Sequence, residues 1–174
     1  MTKARFLPLV LVVLVVAALV WRLANPPDTT IRSKLVGQPV PAFQLPAALP
    51  NKPGLASGDF ATGNPRLLNL FASWCVPCIA EAPVLSELKR AGVPIEGIAI
   101  RDRRADVARF LGEHGDPYER IGSDDNSRVQ LALGSSGVPE SFIVDGHGVV
   151  RFQHVGPIRS EDIGTVLSEM EKAR

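Results

Sequence analysis

Both cysteines of the chain lie in one short stretch, and this stretch constrains the fold more than any other feature. Residues 74–78 read Trp-Cys-Val-Pro-Cys, so the two thiols are three positions apart. An apolar run at residues 67–72 precedes them and is typical of a strand buried on both faces, while a helix-compatible segment follows. A cysteine pair at such a strand-to-helix junction can open and close as one disulfide.

The two thiols are not equivalent at this junction. Cys75, at the helix start, is expected to be the exposed thiol, and unpaired backbone N–H groups with the positive end of the helix dipole stabilise its thiolate. Cys78 lies one turn further on and is predicted to resolve the mixed disulfide. A permanent structural disulfide and a metal site are the alternatives, but so small a loop gains little stabilisation, and two cysteines alone cannot complete a four-ligand zinc site.

Composition sets outer limits on the function. The chain has 174 residues, 45% of them hydrophobic, and a net charge of +1. That length provides for one compact domain with a further segment. Because no long block of like charge occurs, nothing indicates a nucleic-acid partner.

The N-terminus predicts a membrane segment. Lys3 and Arg5 precede a continuous apolar run at residues 6–21. A signal peptide is the alternative, but bulky and charged residues occupy the stretch where a cleavage site of small residues would be needed, which favours an uncleaved anchor. The basic residues should stay in the cytoplasm, so the rest of the chain would lie in the periplasm of a bacterium.

Three segments follow from this pattern. We predict a membrane anchor at residues 1–24, a polar linker at residues 25–35 and one folded domain at residues 36–174. Within the domain we predict strands and helices in alternation, ending in a hairpin and a last helix that starts near Ser160. The predicted strands are 67–72, 95–100, 118–121, 141–144 and 149–155, and the predicted helices after the cysteine pair are 79–91, 106–114 and 127–133. In the first of these helices, Ile79, Leu85 and Leu88 are expected to face inward.

Residues 36–174 resemble the thioredoxin superfamily. The resemblance rests on the Trp-Cys-x-x-Cys motif after a buried strand, on Pro83 five residues past the second cysteine, and on Gly137-Val138-Pro139 before the hairpin. It implies an α/β thioredoxin fold, with a central mixed β-sheet flanked by helices. It also implies that Pro139 is a cis proline beside Cys75, and that the backbone of Val138 pairs with an extended substrate peptide.

A narrower resemblance is to the membrane-anchored cytochrome c biogenesis thioredoxins, the CcmG/DsbE group. It rests on Asn69, Glu81, Glu140 and residues 154–157, which read His-Val-Gly-Pro. The resemblance implies a periplasmic thiol reductase that acts on apocytochrome c or on a cytochrome c maturation protein handling it. A membrane electron donor resembling CcdA/DsbD would recharge it at the inner membrane, and neither a cofactor nor a metal is expected.

The remaining candidate site residues are two acids and a tryptophan. Cytosolic thioredoxins usually carry a buried acid where this chain has Asn69, which cannot titrate. We hypothesise that Glu81, one helical turn beyond Cys78, and Glu140 replace that acid, with pKa values raised by burial and by the nearby thiolate. Trp74 is predicted to shield the pair and to contact substrate, with core packing as the alternative.

The motif alone does not exclude two other functions. A general periplasmic disulfide oxidoreductase would carry the same motif, because the direction of electron flow depends on potential and partners. A copper-binding chaperone of the same fold could use Cys75 and Cys78 with His147 or His154 as ligands. Against the copper interpretation, chaperones of this fold usually have three residues between their cysteines, and this chain has two.

Overall fold

The computed structural model describes residues 7–24 and 34–174, and the chain divides into two compact units, Met1–Thr30 and Ile31–Arg174. Most of the predicted linker, together with Lys3 and Arg5, lies outside the described residues. The domain boundaries predicted from the sequence stay a prediction.

The described part of the first unit is one helix, α1, at Leu7–Ala24. Neither α1 nor any other helix in the described residues has the length and hydropathy required to cross a membrane. The spanning helix expected within residues 1–24 is therefore not found in the described part.

The second unit is built on a five-stranded sheet with the strand order β5-β4-β3-β6-β7. Strands β3, β4 and β5 run parallel, whereas β6 is antiparallel to β3 and β7 to β6, so the sheet is mixed, as expected. A separate two-stranded sheet pairs β1 with β2. The strands are β1 (Gln44–Leu45), β2 (Leu55–Ala56), β3 (Arg66–Phe71), β4 (Ile95–Ile100), β5 (Ile121–Asp124), β6 (Glu140–Val144) and β7 (Val150–Val155).

Four helices follow β3 in the chain and complete the fold. They are α2 (Val76–Arg90), α3 (Arg104–His114), α4 (Arg128–Ala132) and α5 (Ile163–Lys172). The predicted helices and the hairpin of β6 and β7 are confirmed, with ends shifted by a few residues. The strand predicted at residues 118–121 begins instead at Ile121, although the backbone N–H of Glu119 already donates to the carbonyl of Ile95 in β4 at 2.8 Å. The Tyr118 side chain is buried in the core.

The central strand β3 is buried because the side chains on each of its two faces pack into a different apolar cluster. Leu67 and Phe71 pack into one cluster with α2, α3 and α5, and Leu68 and Leu70 pack into a second cluster with Val129 of α4. This is the period-two alternation of a strand covered on both sides. Asn69 therefore points with Leu67 and Phe71 toward α2.

Helix α2 starts directly behind β3 and presents one buried stripe. Cys78, Glu81, Leu85 and Leu88 are buried at helical spacing. Ile79, which the sequence predicted to point inward, is 37% exposed, because its position is rotated by about 100° from that of Cys78. Pro83 lies inside the helix and is exposed.

Gly97 of β4 leaves room for two aromatic rings. A Cβ atom at this position would lie 3.0 Å from the Tyr118 ring and 3.1 Å from the Phe71 ring. In its absence the two rings stack with their centroids 4.7 Å apart. This stacking places the Tyr118 hydroxyl beneath β3.

Candidate active site

Cys75 and Cys78 are joined by a disulfide at the N-terminus of α2, with their Cα atoms 5.3 Å apart. Cys75 is the N-cap residue in an extended conformation, and its Sγ accepts a hydrogen bond of 3.2 Å from the backbone N–H of Cys78. This contact favours negative charge on the Cys75 sulfur once the bond opens. The geometry agrees with Cys75 as the attacking thiol.

The burial of the pair differs from the prediction. Cys75 is only 4% exposed and Cys78 2%, so in the disulfide form neither is an exposed group. The sequence predicted an exposed Cys75 from its position at the helix start. The difference arises because both sulfurs belong to the apolar cluster beneath α2, while their neighbours Trp74 and Val76 face the solvent.

Exposed apolar side chains lie on both sides of Cys75 in the chain and on α4. Trp74 is 58% exposed, Val76 74% and Leu131 70%, so core packing of Trp74 is excluded. Trp74, Leu131 and Val138 also line a cleft of about 280 Å³. Monomeric proteins seldom leave apolar side chains clustered in this way unless they bind a partner.

The turn before Cys75 is held by the loop that follows β4. Both the backbone N–H and the hydroxyl of Ser73 donate to the carboxylate of Asp102, at 2.5 and 2.8 Å. The indole Nε1 of Trp74 donates to the carbonyl of Arg101 at 3.3 Å. Arg101 has a φ of 46°, a left-handed conformation that is uncommon outside glycine.

We expect Asp102→Ala to lower the free energy of unfolding by about 2 kcal/mol, because it leaves the Ser73 N–H without its charged acceptor. Urea denaturation of the oxidised protein measures this loss. Asp125→Ala is the matched control, since it removes an exposed carboxylate whose side chain accepts only from Ser123. Equal stability of the two variants would show that the Asp102 contacts do not hold the turn.

Glu81 is buried on the inner side of the cysteine pair. It is 1% exposed, and its carboxylate accepts from the Ile158 N–H at 2.9 Å and from the Asn69 amide at 3.2 Å. The Asn69 amide also donates to the hydroxyl of Ser141 at 3.0 Å, and its oxygen accepts from the Tyr118 hydroxyl at 2.8 Å. Glu81 thus ends a buried hydrogen-bond network that crosses the sheet.

Burial raises the pKa of Glu81 from its usual 4.5 to about 7, against the opposing effect of the hydrogen bonds from Ile158 and Asn69. Burial likewise raises the pKa of Tyr118, and the nearby charge of Glu81 adds to this effect, so the phenol stays protonated. A carboxyl group that titrates near neutral pH can take or give a proton under physiological conditions. The part of the Glu81 hypothesis that rests on burial is therefore supported.

Glu140 is also buried, at 1% exposure, but its contacts are with the loop before β6. It accepts from the Ser135 hydroxyl at 2.8 Å, from the Ser136 N–H at 3.0 Å and from the Gln153 amide. These bonds fix the segment that leads to Pro139. Its proposed part in the proton chemistry stays a prediction.

The peptide bond between Val138 and Pro139 is cis, which confirms the expectation from the resemblance. Val138 is half-buried and packs against the apolar cluster that contains both cysteines. Its use as a docking point for a substrate backbone stays a prediction. Among the described residues, no group of three or more histidine, cysteine, aspartate or glutamate side chains is placed to hold a metal ion.

Sequence reasoning missed three residues of the site: Asp102, Tyr118 and Ser141. Tyr118 is the only tyrosine of the chain, and Ser141 directly follows Glu140. Neither fact carries a functional signal, because both residues are far from Asn69 in the sequence and meet it only in the folded chain. Asp102 follows the end of β4, and the parallel pairing of β4 with β3 brings it beside Ser73.

A disulfide at the N-terminus of a helix behind a central parallel strand, with a buried titratable acid beside it, defines a thiol:disulfide oxidoreductase. Comparison with known proteins leads to the same class. The family model described as Redoxin matches residues 35–169. The chain belongs to the redoxin family.

Relatives of the chain within this family include DsbE proteins. The chain is 36% identical over 161 residues to the thiol:disulfide interchange protein DsbE of Escherichia coli K12, covering 90% of this chain and 86% of that protein. It is 38% identical over 173 residues to DsbE of Vibrio cholerae, covering 97% and 93%. A crystal structure from Chlorobium tepidum, described as a thiol:disulfide interchange protein DsbE, superposes with a TM-score of 0.65 at 25% identity, covering 83% of this chain and 99% of that one.

Proposed function

We propose that the protein reduces disulfides of apocytochrome c, or of a cytochrome c maturation protein that handles it, in the bacterial periplasm. The observation that carries this proposal is the pairing of an N-capping Cys75 with a buried acid, Glu81, one helical turn beyond Cys78. Similarity to DsbE proteins over nine-tenths of the chain supports the choice of substrate.

The first step of the reaction uses the reduced protein. The Cys75 thiolate attacks one sulfur of the substrate disulfide, so that a mixed disulfide forms and the other substrate sulfur leaves as a thiolate. That thiolate takes a proton from solvent. The exposed apolar side chains of Trp74, Val76 and Leu131 would contact the substrate, and the backbone of Val138 would pair with its chain.

The second step releases the substrate. The Cys78 thiol loses its proton and attacks the Cys75 sulfur, so the disulfide of the structure forms and the second substrate thiolate leaves. Glu81 in its ionised form accepts the Cys78 proton, directly or through water, and can pass it to the leaving group. Overall, two electrons and two protons move from the dithiol to the substrate.

The disulfide must then be reduced again before another turnover. An electron donor at the inner membrane, resembling CcdA/DsbD, would supply two electrons through the same exchange chemistry run in the opposite sense. We place the domain at the periplasmic face of that membrane. Cell fractionation with alkaline extraction would show whether the chain stays with the membrane.

Trapping with Cys78→Ser tests the proposed substrate. Without the resolving thiol, the mixed disulfide between Cys75 and its substrate should accumulate, and non-reducing electrophoresis with mass spectrometry would identify the partner. We expect apocytochrome c or maturation proteins to be recovered. The double variant Cys75→Ser/Cys78→Ser, which cannot form the bond, is the control. Broad recovery of unrelated periplasmic proteins would favour a general oxidoreductase instead.

A further inference from the structure

The peptide group between Pro157 and Ile158 makes a side-chain contact through its N–H and another through its carbonyl. Its N–H belongs to Ile158 and donates to the Glu81 carboxylate at 2.9 Å. Its carbonyl belongs to Pro157 and lies 3.3 Å from the ring Nε2 of His154. The buried acid and a half-buried histidine of β7 are therefore joined through a single amide.

The surroundings of the His154 ring identify which atom carries the hydrogen. Nε2 faces the Pro157 carbonyl and, at 3.8 Å, the carboxylate of Asp162. Both are acceptors, so the tautomer that carries its hydrogen on Nε2 is the one that fits these neighbours. Asp162 is fixed in turn, because the same oxygen accepts from the Arg159 N–H at 2.9 Å.

A hydrogen bond received by a peptide carbonyl changes the N–H of the same group. Electron density moves toward the oxygen, the N–H becomes more positive, and the bond that it donates becomes stronger. Here the strengthened bond ends on Glu81. A hydrogen bond to the ionised form of a carboxyl group favours that form. Donation by His154 thus helps Glu81 to release its proton.

We propose that His154 is a positioning residue that sets how strongly Glu81 holds its proton, acting through the peptide group between Pro157 and Ile158. It touches neither sulfur, and its effect on the dithiol passes through Glu81 alone. Any consequence for catalysis rests on the proposed proton transfer between Cys78 and Glu81. The effect of His154 on the pKa of Glu81 does not depend on that proposed function.

In the described part of the chain, the groups that shift the pKa of Glu81 besides burial are the Ile158 N–H and the Asn69 amide. On α2 it follows Cys78 by one turn. From the side of β3, Asn69 connects it to Tyr118, whose phenol stays protonated and is also influenced by the charge of Asp116. Asn69 carries no charge, and the His154 ring and the Asp162 carboxylate lie at the far end of the Pro157–Ile158 peptide.

Carbon-13 NMR of the glutamate carboxyl groups in the oxidised full chain tests the inference directly. His154→Phe keeps a ring but removes the donor, and His154→Gln restores an N–H donor. We expect the pKa of Glu81 to rise by about 0.3 to 1 unit in His154→Phe and to return most of the way in His154→Gln. His147→Phe, in an exposed turn, should leave it unchanged.

An unchanged pKa of Glu81 in His154→Phe would overturn the inference, and so would an equal rise in His154→Phe and His154→Gln. His154→Leu also lacks the donor, and it provides the same comparison if phenylalanine disturbs the strand. The rate at which Cys78 resolves the mixed disulfide, followed against pH, supplies a second measurement. In a Glu81→Gln background, His154→Phe should not shift that pH profile.

The proposed function and this inference can fail separately. If Glu81→Gln leaves the chemistry of Cys78 unchanged, the proton role of Glu81 is wrong. The pKa of Glu81 in the His154 variants would still decide whether the histidine acts on it through the peptide.

Discussion

Cys75→Ser should reduce the rate of disulfide reduction by about 1000-fold or more, down to the uncatalysed background. A serine hydroxyl does not ionise near neutral pH, so it cannot attack a disulfide even with the Cys78 N–H beside it. The reduced protein mixed with a haem-motif peptide disulfide, with thiol release followed over time, measures this loss.

Cys78→Ser is the matched comparison, because it removes a thiol of the same helix turn. It should retain the first attack, seen as rapid release of one substrate thiol equivalent, and then stop at the mixed disulfide. If Cys78→Ser lost the first attack and Cys75→Ser retained it, the assigned roles of the two cysteines would be reversed. The N-cap position of Cys75 would then not determine reactivity.

The stability of the oxidised protein should fall by about 3 kcal/mol as pH rises from about 4.5 to above 7, through the titration of Glu81 alone. The folded pKa of about 7 lies above the unfolded value, so the folded state binds the extra proton in this window. The neutral form of Glu81 makes its full contribution to stability below the pKa of the unfolded state. This contribution is lost as the pH rises through the pKa of the folded state. Glu81→Gln should remove this dependence, because its side chain stays neutral.

Urea denaturation of both proteins at pH 5 and pH 8 gives the difference directly. Glu87→Gln, an exposed glutamate on the same helix, is the control and should behave as the unaltered protein does. A pH dependence that is equal in Glu81→Gln and in the unaltered protein would contradict the raised pKa. It would also remove the support for Glu81 as the proton acceptor of Cys78.

The part of the site that lies close in sequence was predictable. The strand at residues 67–72, the cysteine pair and Glu81 lie within fifteen positions, and helical spacing alone puts Glu81 on the same face as Cys78. The hairpin signal around residues 145–148 predicted the antiparallel end of the sheet. Local propensity and periodicity settle such features without long-range information.

The parts that were missed depend on pairing between distant segments. Tyr118 reaches Asn69 across 49 positions, and Ser73 meets Asp102 across 29. Ile79 was placed inward from its hydrophobicity, although the polar Glu81 occupies the buried stripe. Prediction from sequence assigns apolar residues to the interior and charged residues to the surface. A buried acid at a functional site is an exception to this rule, so the rule places it wrongly.

The position of the Tyr118 ring in this site depends on the absence of a side chain at Gly97. The residue has no side chain, lies on a neighbouring strand and takes no part in the chemistry, yet the Tyr118 ring occupies the volume that a methyl group there would fill. A methyl group at Gly97 would lie so close to the Tyr118 and Phe71 rings that they would have to shift by a few tenths of an ångström, and the hydrogen bond from the phenol to Asn69 would have to adjust with them. The redox site thus depends on the size of a residue that contributes no atom to its hydrogen bonds.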